Sequence, residues 1–559
     1  MKKFTKAGAK FAAVAAVSVM ALGYTTSVWA EESSGITNKE TVFANIKGTR
    51  TESLSNIRFK STKDKTINEA SALRIQNVDE LNFVNEDEHG LYIGNHTYAF
   101  ENAEGIGINV EKSQANFNIK GGLSVEANGI IIDPEENVQS QGIVREPEAN
   151  VSMKAVGFYG KKGNSLIKAK YVSSEASNRV AADSTEKLKE ETLGMYLNKY
   201  TINILAKENI EISSLIPTEN MLAGEKTAQG MVLSNRSKAS LHADGDISIL
   251  AAVGYGAMIT RVMPAISVGH VKGIHADSSE LDMQAGGKII IKATINGYTS
   301  NNNLAAINAS NSKINMKAVR GIQIAAVNKD GEGFAQTDKV YAIVADNQSE
   351  ITLDSGSSEI SIRGNVNVSD NSTLKLSGKR EFDDIGIYIN GNVNVSKNSV
   401  LKLSGVTVID DGLMRSATSG STTSVGNLNV DNSKLVVDGF TGVFGSTTLN
   451  NAKIYMYDDN NTSEGFHALS IIGDLNISEN NELFLRADSS KAAGDITRLE
   501  LNSDVIGISG NIITDNMTEE DKLYVNVFDK GMKNGYGMGT DDTKTLYKPI
   551  TVLYNSNDS

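Results

Sequence analysis

The chain contains no cysteine in 559 residues. Disulfides, thiolate zinc sites, iron–sulfur clusters and cysteine nucleophiles are thereby excluded. Proline is scarce at 5 residues, while glycine is abundant at 50. Proline removes the backbone donor that a strand ladder needs, so its scarcity suits a chain of paired strands. Basic runs are missing and the net charge is −13. That balance argues against nucleic acid and anionic membrane surfaces as partners. No segment after residue 30 has 18 consecutive apolar residues, so no spanning helix is expected in the mature chain. What remains is a globular balance, 40% hydrophobic and 22% charged, which excludes a fully disordered chain.

The N-terminus reads MKKFTKAGAK, FAAVAAVSVMALGY, TTSVWA and then EESSG. A basic region, a short apolar stretch and a small-residue site, with Val28 and Ala30 where a signal peptidase reads, predict cleavage between Ala30 and Glu31. The apolar core Phe11 to Tyr24 is too short to span a bilayer. Cleavage removes the only tryptophan, Trp29, together with Lys2, Lys3, Lys6 and Lys10, and takes the charge from −13 to −17. The protein is therefore expected to be exported, and a large exported chain without disulfides must be braced by other means.

Repeats decide the fold. In INASNSKINMKAVRGIQI, apolar residues alternate in pairs: Ile307 and Ala309, Ile314 and Met316, Ile322 and Ile324. Period two is strand spacing. The same triplet of pairs begins at Ile108, Met195, Met231, Ile274 and Ile343, with a weaker copy near Phe158. After residue 363 a shorter pattern takes over: GNVNVSDNSTLKLSG from Gly364, GNVNVSKNSVLKLSG from Gly391, then versions at Gly426 and Gly473. Short strands repeated with variable insertions mark a solenoid, whose coils bury their apolar rows only by stacking. An antiparallel sandwich also has regular short strands, but it needs tight hairpins, and the triplet repeat favours a three-sided parallel β-helix. Ile314 and Met316 should then point inward and Lys317 outward. Asn365 and Asn392, at matching turns, are expected to stack as ladders. The coils from about residue 340 are the most regular and are expected to resist proteases best. One segment departs from the pattern: DSTEKLKEETLG, Asp183 to Gly194, reads as a short helix closed by glycine.

Motifs for chemistry are few. No G-x-S-x-G elbow, H-E-x-x-H zinc motif or phosphate loop occurs. The histidines are His89, His96, His242, His270, His275 and His467, and His242 and His275 are placed at outward positions of equivalent strands. Asp383–Asp384 and Asp410–Asp411 are the nearest approach to the carboxylate clusters of a glycan-degrading β-helix. Adjacent strand residues point to opposite faces, so a pair in sequence is not a pair in space. GYGMGTDD, Gly535 to Asp542, reads as a surface loop. No Arg-Gly-Asp triplet is present. No catalytic, cofactor-binding or metal-binding residue is assigned, and no enzyme activity is expected.

The leader, the absent cysteine and the many G-I-x-A…S-x-I-x-[ML] and G-N-V-N-V…L-x-L units resemble the passenger domains of autotransporter adhesins, over roughly residues 100–555. DKLYVNVFDKG and TLYKPITVLYNSNDS resemble the closing rungs of such passengers. The resemblance implies an elongated solenoid at the cell surface or outside the cell, a downstream or separate outer-membrane translocator barrel as partner, and contact with host-cell or matrix glycans or proteins. The barrel strands themselves are not in this sequence. The organisation expected is a signal peptide at 1–30, an N-terminal cap or first coils at 31–100, a β-helix with longer repeats and insertions at 101–363, GNVNV-type coils at 364–490, and closing rungs at 491–559. A glycan-degrading enzyme and a purely structural stalk are the alternatives.

Overall fold

The computed structural model describes residues 36–37, 39–61, 69–99, 102–131, 150–180, 187–217, 225–255, 267–296, 304–330, 333–334, 340–380, 384–410, 426–457, 469–478, 480–487, 506–514, 523–529 and 553–555. The leader and its cleavage site lie outside them, as do Asp383, Asp411, His467 and the 535–542 loop.

These residues build a succession of short strands that repeats along one axis. Each coil contributes one strand to each of three parallel sheets, called here B, C and A in the order the chain visits them. Sheets B and C each hold 15 strands and sheet A holds 17. Strand neighbours are one coil apart and parallel throughout, except for a short antiparallel pairing of Lys329–Asp330 with Gly333–Phe334. The fold is a parallel β-helix with three strands per coil, and fifteen coils stacked at the spacing of paired strands give a rod about 70 Å long.

Register follows the apolar alternation. In sheet B, Phe158, Met195, Met231, Ile274, Ile307 and Ile343 stand directly over one another. In sheet C, Leu281, Ile314 and Ile351 do the same, as do Met283, Met316 and Leu353. Ile314 and Met316 are buried while Lys317 is exposed, so the inward and outward assignment holds. Each such side chain contributes on the order of 1.5–3 kcal/mol by leaving water. The first coils are closed by aromatic packing, with Phe83 stacked on Phe117 at 5.0 Å and Phe43 edge-on to Phe83 at 5.3 Å.

The GNVNV units are not a separate architecture. Val366 and Val368 continue sheet B, Leu374 and Leu376 continue sheet C, and Ile387–Asn390 supplies the sheet A strand that the repeat motif itself lacks. Coil length there varies: successive equivalent residues are 27, 35, 19 and 28 positions apart.

Polar ladders run through two corners. Between sheets B and C the backbone turns through a left-handed residue such as Asn311 (φ 49°) or Asn432 (φ 46°), a conformation asparagine tolerates well. A buried serine follows. Its hydroxyl accepts the backbone N–H of the serine one coil earlier, in an unbroken series Ser237, Ser279, Ser312, Ser349, Ser372, Ser399 and Ser433. At the corner leading into sheet B, the Asn365 side chain accepts from the N–H of Asn392 at 3.0 Å, and Asn392 accepts from Asn427 at 2.9 Å. The expected asparagine stack is therefore present, in the form of side chain to backbone bonds. Together these ladders satisfy corner donors that strand pairing leaves over.

The helix expected over Asp183–Gly194 is corrected. Residues Lys187–Asn198 form a sheet B strand, paired on one side with Asn150–Lys161 and on the other with Glu225–Ser234. Its charged residues alternate, so Lys189 and Glu191 face out while Glu190 and Thr192 face in. Inside, Glu190 forms an ion pair with Lys226 of the next coil, and both are buried. A charged run with an internal ion pair imitates helix composition, and tertiary pairing overrides the local preference.

Candidate functional site

Gly194 is not a helix stop but a member of a column. Gly107, Gly157, Gly194, Gly230 and Gly273 occupy the same place in successive sheet B strands, one residue before the inward Ile108, Phe158, Met195, Met231 and Ile274. A Cβ on Gly157 would lie 2.6 Å from the carbonyl oxygen of Gly194, and one on Gly230 would lie 2.6 Å from Ile249 of sheet A. No side chain fits at these two positions, whereas in the coils beyond Gly273 the place is taken by the small Ala306 and Ala342. These glycines drop out of the ladder register, which steps directly from Val156–Leu193 to Phe158–Met195. Glycine stands opposite glycine, so no residue is inserted; the ladder lacks a bridge there, and glycine's conformational freedom lets the strand bend. The outward residues on either side of the bend are then brought together in a crease that runs along the outer face of sheet B.

In the earlier coils the crease is apolar. Ile106, Val156, Leu193 and Val232 face outward yet are buried, and they form a cluster with Tyr159 and Tyr196 that is separate from the main core. The two tyrosine rings stack with centroids 5.3 Å apart and planes 16° from parallel. Lys154 lies 5.7 Å from the Tyr196 ring and bonds Glu104 at 3.0 Å. Burial opposes the charge on Lys154, but Glu104 more than offsets it and the ammonium is held more tightly than usual. Burial raises the Tyr159 phenol, with Tyr196 adding to the effect. Beside Tyr159 in the register sits Asn109, 4% exposed, whose Oδ1 has no hydrogen-bond partner.

Two coils beyond Tyr196 the crease turns polar. The column Tyr196, Val232, His275, Asn308 and the column Leu193, Gln229, Lys272, Ala305 continue side by side. Lys272 is only 8% exposed. Its Nζ lies 3.4 Å from His275 Nδ1 and 3.5 Å from Asn308 Oδ1, and His275 Nδ1 lies 3.0 Å from the same oxygen. Lys272 makes no ion pair with any described carboxylate. Burial lowers its pKa, and the pull of Asp346 does not restore it. Burial and then the neighbouring Lys272 charge push His275 down to about 4. His275 is therefore neutral near pH 7, with Nδ1–H donating to Asn308. His270, exposed at the rim, is lowered by burial of its ring and by Lys272.

The residues singled out from sequence are scattered. His242 and His275 are not on equivalent strands: His242 is exposed on sheet C beside Leu205 and Gln284, and His275 is in the sheet B crease. Both do face outward. The flanking pairs misled because three outward columns per coil share the same alternation. His89 is exposed and bonds Asp87, and His96 is half-buried on sheet A. Asp384 bonds Lys379 at 2.7 Å in a loop, while Asp410 ends a sheet A strand and its carbonyl accepts from Gly391. Among the described residues no group of three or more histidine, aspartate or glutamate side chains is placed to hold a metal ion. The crease itself, with Lys272 and Asn308, was not anticipated. Its signal was the glycine recurring before the inward pairs at Ile108, Phe158, Met195, Met231 and Ile274, replaced by alanine before Ile307 and Ile343.

No family model matches the chain, and no curated protein matches it. Among solved structures, the crystal structure of the autotransporter UpaB from E. coli strain CFT073 aligns with 89% of this chain and 95% of its own, at 10% identity and a TM-score of 0.24. A superposition that loose carries no argument, and the assignment as a parallel β-helix rests on the strand pairings above.

Proposed function

We propose that the chain is the exported passenger part of an autotransporter-like surface protein and acts as an adhesin, non-enzymatically, through the outer face of its β-helix. Its partners on this reading are host-cell or matrix glycans or proteins, and an outer-membrane translocator barrel that carries it, encoded downstream or separately. The observation that supports it best is the crease of sheet B. A rod built only as a spacer has no use for a bent strand column that gathers Tyr159, Tyr196, Lys272 and His275 on one outer face, and exposed polar–aromatic grooves are places where ligands bind. The N-terminal leader and the sequence resemblance to autotransporter adhesins supply the export and display.

The test is binding of purified residues 31–559 to cultured epithelial cells and immobilised mucin. Saturable binding is expected. Absence of saturable binding to both surfaces would favour the structural stalk, and release of shortened sugar chains from the mucin would favour the glycan-degrading enzyme.

A further inference from the structure

Lys272 is the feature that the fold does not explain. A lysine this deep, with no carboxylate beside it, loses hydration that the single Asn308 acceptor only partly replaces. The other deep lysine of sheet B, Lys226, has Glu190 for a partner. Lys272 points outward instead, into the crease, where His270 at the rim is open to solvent. At the opposite end, Asn109 Oδ1 is buried and lacks a donor. Four coils separate Asn109 from His275 in the same column, or about 19 Å along the axis. Between them stand the Tyr159 and Tyr196 rings, with Asn198 donating to the Tyr196 hydroxyl at 3.3 Å.

We propose that this crease binds an acidic oligosaccharide, with a uronic-acid carboxylate accepting from Lys272 and a sugar hydroxyl donating to Asn109. The two ends ask for different things: one cation lacks an anion, and one acceptor lacks a donor. A chain of uronic acids offers both on one molecule, spaced along an extended axis, and its apolar ring faces suit the tyrosine edges between. An acidic polypeptide offers carboxylates too, but its backbone seeks a strand edge, and the strands lining the crease are paired on both sides. Asn308 is the positioning residue: its Oδ1 accepts from Lys272 Nζ at 3.5 Å and from His275 Nδ1–H at 3.0 Å, which fixes the oxygen at the crease floor.

The inference rests on the adhesin reading for its biology but not for its test. Isothermal titration of residues 31–559 with a short oligogalacturonate should show binding that weakens about tenfold or more in Lys272→Met, the loss of one charge-assisted contact. Asn308→Ala should weaken it less. Lys238→Met, which removes an exposed sheet C cation paired with Glu280 at 2.9 Å, should leave it unchanged. The methyl-esterified oligosaccharide should bind as poorly to the wild type as the free acid binds to Lys272→Met. Circular dichroism and thermal melts establish that each variant is folded. Equal affinity of Lys272→Met and Lys238→Met, no binding by the wild type, or equal affinity for poly-glutamate would overturn the proposal. Cell binding that survives Lys272→Met would leave the adhesin reading standing and this site rejected. Oligogalacturonate binding without cell binding would do the reverse.

Discussion

Glu190 and Lys226 form an ion pair inside the coil stack, at 1% and 0% exposure, on consecutive strands of sheet B. They sit between buried Met153 of the preceding coil and Val268 of the following one, beside Thr192, whose hydroxyl bonds Ser214 of sheet A at 2.7 Å. Breaking such a pair from one side leaves a lone buried charge, which costs roughly 3–5 kcal/mol. Glu190→Ala should therefore lower the denaturant midpoint of the affected coils markedly. Replacing both residues with methionine should recover most of the loss. Equal damage from the single and double variants, measured by equilibrium unfolding, would show that the pair is not the unit that matters.

The serine ladder makes a second prediction. Ser349 accepts from the N–H of Ser312 at 3.2 Å while its own hydroxyl donates to the carbonyl of Asp346 at 2.7 Å. Ser349→Ala leaves a buried N–H without a partner, at about 1–3 kcal/mol. Asparagine fills the same role near the C-terminal end, where Asn481 accepts from Ala452 at 2.8 Å, so Ser349→Asn should be milder. Hydrogen exchange at Ser312 reads this directly: its amide should exchange faster in the alanine variant.

His275 gives the fold a pH dependence of predictable sign. Its folded pKa of about 4 lies below the ordinary 6.5, so the unfolded chain binds the proton more readily. The neutral ring's contribution is fully present above pH 6.5 and is lost as the pH falls towards 4, by up to about 3 kcal/mol. His275→Gln should flatten the difference in stability between pH 7 and pH 4.5. The same slope in both proteins would place the acid sensitivity elsewhere.

The serine ladder and the asparagine ladder run together from Ser349 and Asn365 onward, through Ser433 and Asn427. Local stability varies along a solenoid, and this doubly braced stretch should resist proteases longest. Limited proteolysis with mass mapping is expected to leave fragments rooted after about residue 340. Survival of residues 40–300 instead would reverse the ranking.

Much of the fold was readable because inward and outward positions alternate along each side of a coil. Met316 in and Lys317 out follow from period two alone, and stacking multiplies one coil's pattern by fifteen. The strand Lys187–Asn198 was not readable, since Glu190 and Lys226 put charges at inward positions and only the neighbouring coil reveals their pairing. The crease was half-readable. The glycine before five successive inward pairs is plain in the sequence, but its meaning lies in a carbonyl one coil away. Lys272 and Asn308 are 36 residues apart, and their meeting depends on the register and on the insertions that the coils absorb between them.

The measurement that bears most directly on the account is quantitative cell binding by two surface variants of the mature chain. One is Tyr159→Ala with Tyr196→Ala in the sheet B crease. The other is Leu205→Ser with His242→Ser, on exposed neighbouring positions of sheet C. If adhesion works through the crease, the tyrosine variant loses about tenfold or more in affinity, as expected when anchoring aromatics are removed, and the sheet C variant binds like the wild type. Full binding by the tyrosine variant together with loss in the sheet C variant would contradict it.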